Sequence, residues 1–257
     1  MRDFLEDAHK HMDDGYGRAQ KHVRQELPKR FYEDAAVAEV AGGYAIELDG
    51  RGIKTPGRAA VVVPSRELAD RLAAEWQAQG ERIDPISMPL TRLVNAALEG
   101  GAESAAALRD EVVNYAGNDL LLFRADTPQE LVDEQERVWG GVLDRISSTF
   151  SVSFNPVVGI IHEDQPPETL EKLGRLIANL DHISLTALMS ITNLTGSGLL
   201  AIAILTGLET PENAWFAAHV DEDHNLRLWG EDEEAMKRRA KRKVEFDAAV
   251  TVLGLSA

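Results

Sequence analysis

VAEVAGGYAIELDGRGIKTPGRAAVVV, residues 37–63, is the stretch that decides the first half of the fold. Strand-favouring residues are broken where hairpins need breaks: Val37–Ala41, Gly42-Gly43, Tyr44–Leu48, Asp49-Gly50, Ile53–Thr55, Pro56-Gly57, Ala60–Val63. Gly-Gly and Asp-Gly supply the positive φ that tight hairpin turns require. The stretch therefore predicts an antiparallel meander.

Working downstream, Ser65 follows Pro64 as an N-cap, and Leu68, Ala69, Leu72, Ala73 and Trp76 recur at helical spacing until Gly80 stops the run. That helix should lie on the sheet. Further helices are expected over Pro89–Leu98 and Ser104–Tyr115, and the LLLFR run from Leu120 to Arg124 reads as a short strand rejoining the first sheet. Thr127-Pro128-Gln129-Glu130 has capping-box spacing with proline at the first helical position, opening a helix that runs to about Ser148. From Glu168 onward only helices are expected, with one short strand before them at Val157–Ile161. The order, sheet-rich first and helical second, predicts an α+β fold: an N-terminal antiparallel sheet with packed helices, followed by an all-helical C-terminal domain. The expected divisions are a polar N-terminal segment over 1–30, an α+β domain over 31–127 and a helical domain over 128–257.

No residue from Ile183 to Leu208 is charged, a run long enough to span a bilayer. Its hydroxyl and amide side chains and the central Thr195-Gly196-Ser197-Gly198 instead predict two short buried helices joined by a turn, and no stable membrane insertion. Upstream, the first thirty residues lack an apolar core and carry Asp3, Glu6, Asp7, Asp13 and Asp14, unlike a secretory or an acid-poor transit peptide. A bacterial-type cytoplasm is the expected location.

The 257 residues are 44% hydrophobic, enough for a sizeable core. With 43 Asp plus Glu against 27 Lys plus Arg, the net charge of -16 repels nucleic acid and anionic membrane surfaces and suits a basic or apolar partner. The chain has no cysteine, which removes disulfides, thiolate nucleophiles and thiolate metal ligands. Basic residues cluster only at Lys237–Lys243, and the acids at Glu231–Glu234 supply their ion-pair partners at the start of the same helix.

Chemistry has few footholds. Gly196-Ser197-Gly198-Leu199-Leu200-Ala201 has the spacing of a dinucleotide loop, but Leu185–Leu194 before it reads as helix where the motif needs a strand. His219 and His224 flank Asp221, Glu222 and Asp223 on one expected helix without a metal-ligand spacing. No cofactor and no metal are expected. Two polar residues stand on apolar stripes. Gln135 shares a helix face with Leu131, Val138, Trp139 and Val142, so it requires a hydrogen-bond partner. Glu222 falls in line with Trp215, Ala218, Leu226 and Trp229 on the helix opened by Thr210-Pro211, where its carboxylate pairs internally or faces a binding groove.

Several segments are familiar together: Met88-Pro89-Leu90-Thr91-Arg92-Leu93, Tyr115-Ala116-Gly117-Asn118-Asp119-Leu120-Leu121, and Leu131 with Gln135 and Trp139. The order continues through Leu185-Thr186-Ala187-Leu188, Ser190-Ile191-Thr192, Ala214-Trp215, Asp221-Glu222 and Leu228-Trp229-Gly230. This ordered set, spread from Arg30 to Glu234, resembles the assembly chaperones for the alpha subunit of the F-type ATP synthase. The resemblance implies a non-enzymatic monomer that binds the unassembled alpha subunit, shields its beta-facing surface and is released on assembly; eukaryotic relatives would work in the mitochondrial matrix. It places the family's Glu-Trp pair before a Gln at Glu75, Trp76 and Gln77, and its acidic position upstream of Trp-Gly at Glu222. Residues expected to contact the partner are Glu222, Trp229, Asp221, Gln135 and Arg92, with Trp76 and Trp215 as structural anchors. The chain departs from the family pattern at His224 and Asn225, where relatives often carry a bulky residue and glutamine. The competing expectation is a small-molecule enzyme built on the Gly196 turn and the His219–Asp223 cluster.

Overall fold

The computed structural model describes residues 27–230 and 232–254. β1 (Ala35–Val40) and β2 (Gly43–Leu48) form the expected antiparallel hairpin, in a register that sets Ala35 opposite Leu48 and Val40 opposite Gly43. β3 (Arg51–Gly52) and β4 (Val62–Val63) both pair antiparallel with β2 and complete a four-stranded sheet. Asp49 and Gly50 both have positive φ, the geometry of a tight hairpin turn. Gly43 is fixed by a close approach: a Cβ there would stand 2.3 Å from the Val63 carbonyl oxygen.

α1 (Arg66–Gln77) starts where Ser65 accepts the Leu68 N–H, and it lays Leu68, Ala69, Leu72 and Ala73 on the sheet. α2 (Pro89–Gly100) and α3 (Ala105–Gly117) turn away from the sheet and pack onto α7 (His182–Thr195). α8 (Gly198–Leu205) reads GLLAIAIL, apolar on every face, so it needs cover on all sides. It receives that cover from α3, α5 (Gly141–Phe150), α7 and α9 (Pro211–Ala217), and Gly198 through Ile204 are all buried. A Cβ on Gly198 would lie 2.4 Å from the Val112 carbonyl oxygen, so glycine is what lets α8 meet the α3 backbone. The uncharged run is thus two buried helices, split by Gly196 in the left-handed conformation and restarted by Ser197, whose side chain caps Leu200. Among the described residues no helix is long and apolar enough to cross a membrane.

The remaining elements are α4 (Gln129–Gln135), a π-helical turn over Glu136–Gly140 leading into α5, α6 (Pro167–Leu176), α10 (Val220–Trp229) and α11 (Glu233–Val252). Three expectations are corrected. Leu120–Leu122 is a single 3-10 turn, because the Asp119 carboxylate accepts the Leu121 N–H and holds the chain bent. Only β5 (Phe123–Arg124) is extended, and it pairs in parallel with β6 (Val157–Val158) in a separate two-stranded sheet instead of rejoining the first. Pro128 is the N-cap of α4 and not its first helical residue, and Thr127 bonds to Asp126 instead of closing a capping box. Finally, Trp215 and Glu222 do not share one helix: α9 ends at Ala217 and α10 begins at Val220.

Candidate functional site

Glu75, Trp76 and Gln77 form a junction at the end of α1. The Glu75 carboxylate accepts the N–H groups of Leu90 and Thr91, each at 2.8 Å, and the Thr91 hydroxyl, which closes the open start of α2. Burial raises the Glu75 pKa and these hydrogen bonds pull it back, so its acidity is a balance between fold and cap. The Trp76 carbonyl accepts the Tyr32 hydroxyl at 2.6 Å, and Trp76 packs edge-on against Tyr32. Gln77 bonds Ala35 N–H and the Glu33 carbonyl. Trp76 ties the strand entry to the end of α1, and the Met88–Leu93 motif belongs to the same junction.

At the Gly196 turn, the N-terminus of α8 is the place where a pyrophosphate would sit. A carboxylate from this chain already occupies it. Asp119, fully buried, accepts the Ser197 hydroxyl at 2.6 Å and the Leu199 N–H at 3.0 Å. Burial pushes Asp119 up to about 7 against those hydrogen bonds. The Tyr115–Leu121 motif is thus an internal cap joining α3 to α8.

Gln135 is buried and its partners are found. Its Nε2 donates to Asp221 Oδ1 at 2.7 Å, its Oε1 accepts the Ala125 N–H at 2.8 Å, and its carbonyl accepts Arg124 Nη1 at 2.7 Å. Gln135 is a bridge from α4 to α10, which uses up one side of Asp221. Below it, Trp139 donates Nε1–H to the Ala217 carbonyl at 2.7 Å, and the Arg124 guanidinium stands 5.5 Å from the Trp139 ring centre. Burial works against the Arg124 charge, which the Glu136 carboxylate at 3.8 Å supports.

The break between α9 and α10 is made by His219, whose φ of −120° and ψ of 15° are not helical. Its Nδ1 bonds the Trp215 carbonyl at 2.6 Å, satisfying an end group of α9, while its ring stacks at 4.2 Å on Trp215. Burial lowers the His219 pKa, which favours the neutral ring. Trp215 also meets Phe246, which makes it a core anchor. On α10, Val220 and His224 are buried and Asp223 pairs with Arg239 of α11. Positions 222, 226 and 229 recur on the opposite face. There the Glu222 side chain is 40% exposed, with His219 Nε2 at 3.8 Å its one basic neighbour among the described residues, and Trp229 is 79% exposed beside an exposed Leu228.

Of the expected contact residues, Asp221, Glu222, Gln135 and Trp229 converge on α10 and its α4 support. Arg92 lies apart: it pairs with Glu245 of α11 and bonds the Pro85 carbonyl, a tie between elements. Within the His219–Asp223 cluster, His219, Asp221 and Asp223 are engaged by Trp215, Gln135 and Arg239 while Glu222 stays half-open, and among the described residues no group of three or more His, Asp or Glu is placed to hold a metal. Asp119, Arg124 and Arg239 were not singled out from the sequence. Asp119 had a readable signal, an aspartate before an apolar run, which is an N-cap pattern. Arg124 and Arg239 had none, since their partners are distant in sequence.

Comparison with known proteins converges on one family. Residues 29–147 match the family described as ATP12 chaperone protein. The mitochondrial protein atp12 of Schizosaccharomyces pombe is 25% identical over 219 residues, covering 80% of this chain and 75% of that protein. The crystal structure of Atp12 from Paracoccus denitrificans superposes with a TM-score of 0.83 at 34% identity, covering 90% of this chain and 99% of that one. The Atu1473 protein of Agrobacterium tumefaciens gives a TM-score of 0.86 at 43% identity, covering 92% and 89% of the two chains. With a third of its residues shared along almost the whole of a solved Atp12, and the same fold, the chain belongs to the ATP12 chaperone family.

Proposed function

We propose that this chaperone of ATP synthase assembly binds the unassembled alpha subunit, covers the surface that later meets the beta subunits, and is displaced when they arrive. A subunit without its neighbour exposes an apolar interface that favours aggregation, and a complementary surface of moderate affinity delays that loss until the true partner competes it away. A single chain in the bacterial cytoplasm fits this work.

The outer face of α10 carries the reading. Trp229 is 79% exposed, whereas Trp139 and Trp215 are buried and Trp76 is partly so. Exposed tryptophan with little support from its own fold is the residue type most enriched in binding hot spots. Beside it the Glu222 carboxylate is half-open to solvent, while its neighbours Asp221 and Asp223 are held by Gln135 and Arg239. An apolar ring with one uncommitted anion suits a partner surface that is apolar with a basic residue at its edge.

Glu222→Lys tests this. Among the described residues the side chain makes no hydrogen bond, so the stability read from urea unfolding should stay within about 0.5 kcal/mol of the parent. Capture of purified alpha subunit should weaken at least about tenfold, about 1.4 kcal/mol, in a calorimetric titration. An unchanged affinity with an unchanged fold would remove Glu222 from the interface.

A further inference from the structure

Val158, Ile160 and Ile161 are 69%, 93% and 81% exposed, so three β-branched aliphatic residues stand in solvent at the end of β6 and in the short loop after it. The loop leaves β6, is tied to β5 once more by the Gly159 N–H to Arg124 carbonyl bond of 2.8 Å, and turns at Gly159, whose φ is +89°. Its feet are fastened. Gln165 is 5% exposed, and its side chain accepts the Asn155 N–H at 2.9 Å and donates to the carbonyls of Asn155 and Glu163 at 3.0 and 3.2 Å. Asn155 in turn donates to the Asp164 carbonyl at 3.2 Å. Both ends of the loop are therefore clamped by buried or paired amides while its tip is apolar and bare. A loop closed on itself in this way presents its tip in one shape, which reduces the ordering cost of binding.

We infer that Val158, Ile160 and Ile161 form a preorganised apolar knob that seats in an apolar depression with a basic rim on the client subunit. This rests on the reading that the chain holds a client. Charge selects the occupant. His162 follows the tip and then Glu163 and Asp164; His162 Nε2 stands 3.2 Å from Asp164 Oδ1, the Asp164 side chain is fully exposed, and the chain carries a net charge of -16. A second copy would bring the same acids against each other, whereas Lys or Arg around an apolar depression would pair with them. The knob is distinct from the α10 face and gives the chaperone a second point of attachment.

The test is capture of the separately expressed alpha subunit by the full chain, by Ile160→Asp/Ile161→Asp and by Glu163→Lys/Asp164→Lys. The changes lie at exposed positions, so the thermal midpoints should match the parent. The first variant should bind at least tenfold more weakly. The second should bind more weakly at low salt and converge with the parent as salt is raised. Equal capture by all three proteins would overturn the knob while leaving the holding reading intact. No capture by the parent would overturn that reading itself. A parent dimer that dissociates in the Ile160→Asp/Ile161→Asp variant would assign the tip to a second copy and overturn the client assignment.

Discussion

Asp119→Ala should lower the stability of this chain by about 3–5 kcal/mol and change how its stability depends on pH. The carboxylate is the acceptor for the Ser197 hydroxyl and for the N–H groups of Leu199 and Leu121, all in a site without solvent. Leaving buried donors unpaired costs about 1–3 kcal/mol each. The pH dependence follows from the raised pKa. Burial places Asp119 at about 7 in the fold against 3.8 as the reference value, so the folded state holds the proton more tightly than the unfolded one. Its contribution to stability is full below the unfolded value and is lost as the pH rises through about 7. Between about pH 6 and about pH 8 the parent should lose about 1.4 kcal/mol that Asp119→Ala does not lose. Urea titrations of both proteins across that range measure the difference directly. Parallel curves would show that the carboxyl is ionised throughout.

Trp139→Ala is the second large effect, about 3–5 kcal/mol, because a fully buried indole leaves a cavity that its neighbours fill only in part. The loss has a direction. Trp139 Nε1–H holds the Ala217 carbonyl at the end of α9, just before the His219 break that aims α10. Trp139→Phe keeps most of the apolar contact and the ring beneath Arg124 but gives up that hydrogen bond, so it should cost about 1–2 kcal/mol. Thermal melts of the two variants separate packing from anchoring. If the phenylalanine variant is as unstable as the alanine one, the hydrogen bond to Ala217 carries more than packing does.

The sheet was legible because its turns are written in glycine. Gly42-Gly43 and Asp49-Gly50 mark the two hairpins, although the first turn falls on Ala41-Gly42 and Gly43 opens β2 opposite Val40. The split of the uncharged run was readable for the same reason, with Gly196 and Ser197 marking stop and start. Where a side chain overrides local pattern, the reading failed. LLLFR has strand composition, yet Asp119 bends its first half into a turn and leaves only Phe123–Arg124 to pair with a distant β6. The stripe from Trp215 to Trp229 has helical spacing throughout, yet a histidine ring captures the Trp215 carbonyl and divides it.

The site was legible in part. That Gln135 must have a hydrogen-bond partner followed from its apolar neighbours, and Asp221 is one. Arg92, expected at the interface, is a tie to Glu245, a contact between residues far apart in sequence that no local spacing reveals. The apolar tip at Ile160 and Ile161 read as a strand end because exposure is not encoded in β-branched composition.

The most direct measurement is co-purification of the full chain with separately expressed alpha and beta subunits of the same organism's ATP synthase, scored by complex formation. The account predicts that alpha alone is captured, stays soluble, and is given up when beta is added. Capture of both subunits alike, or of neither, would contradict it.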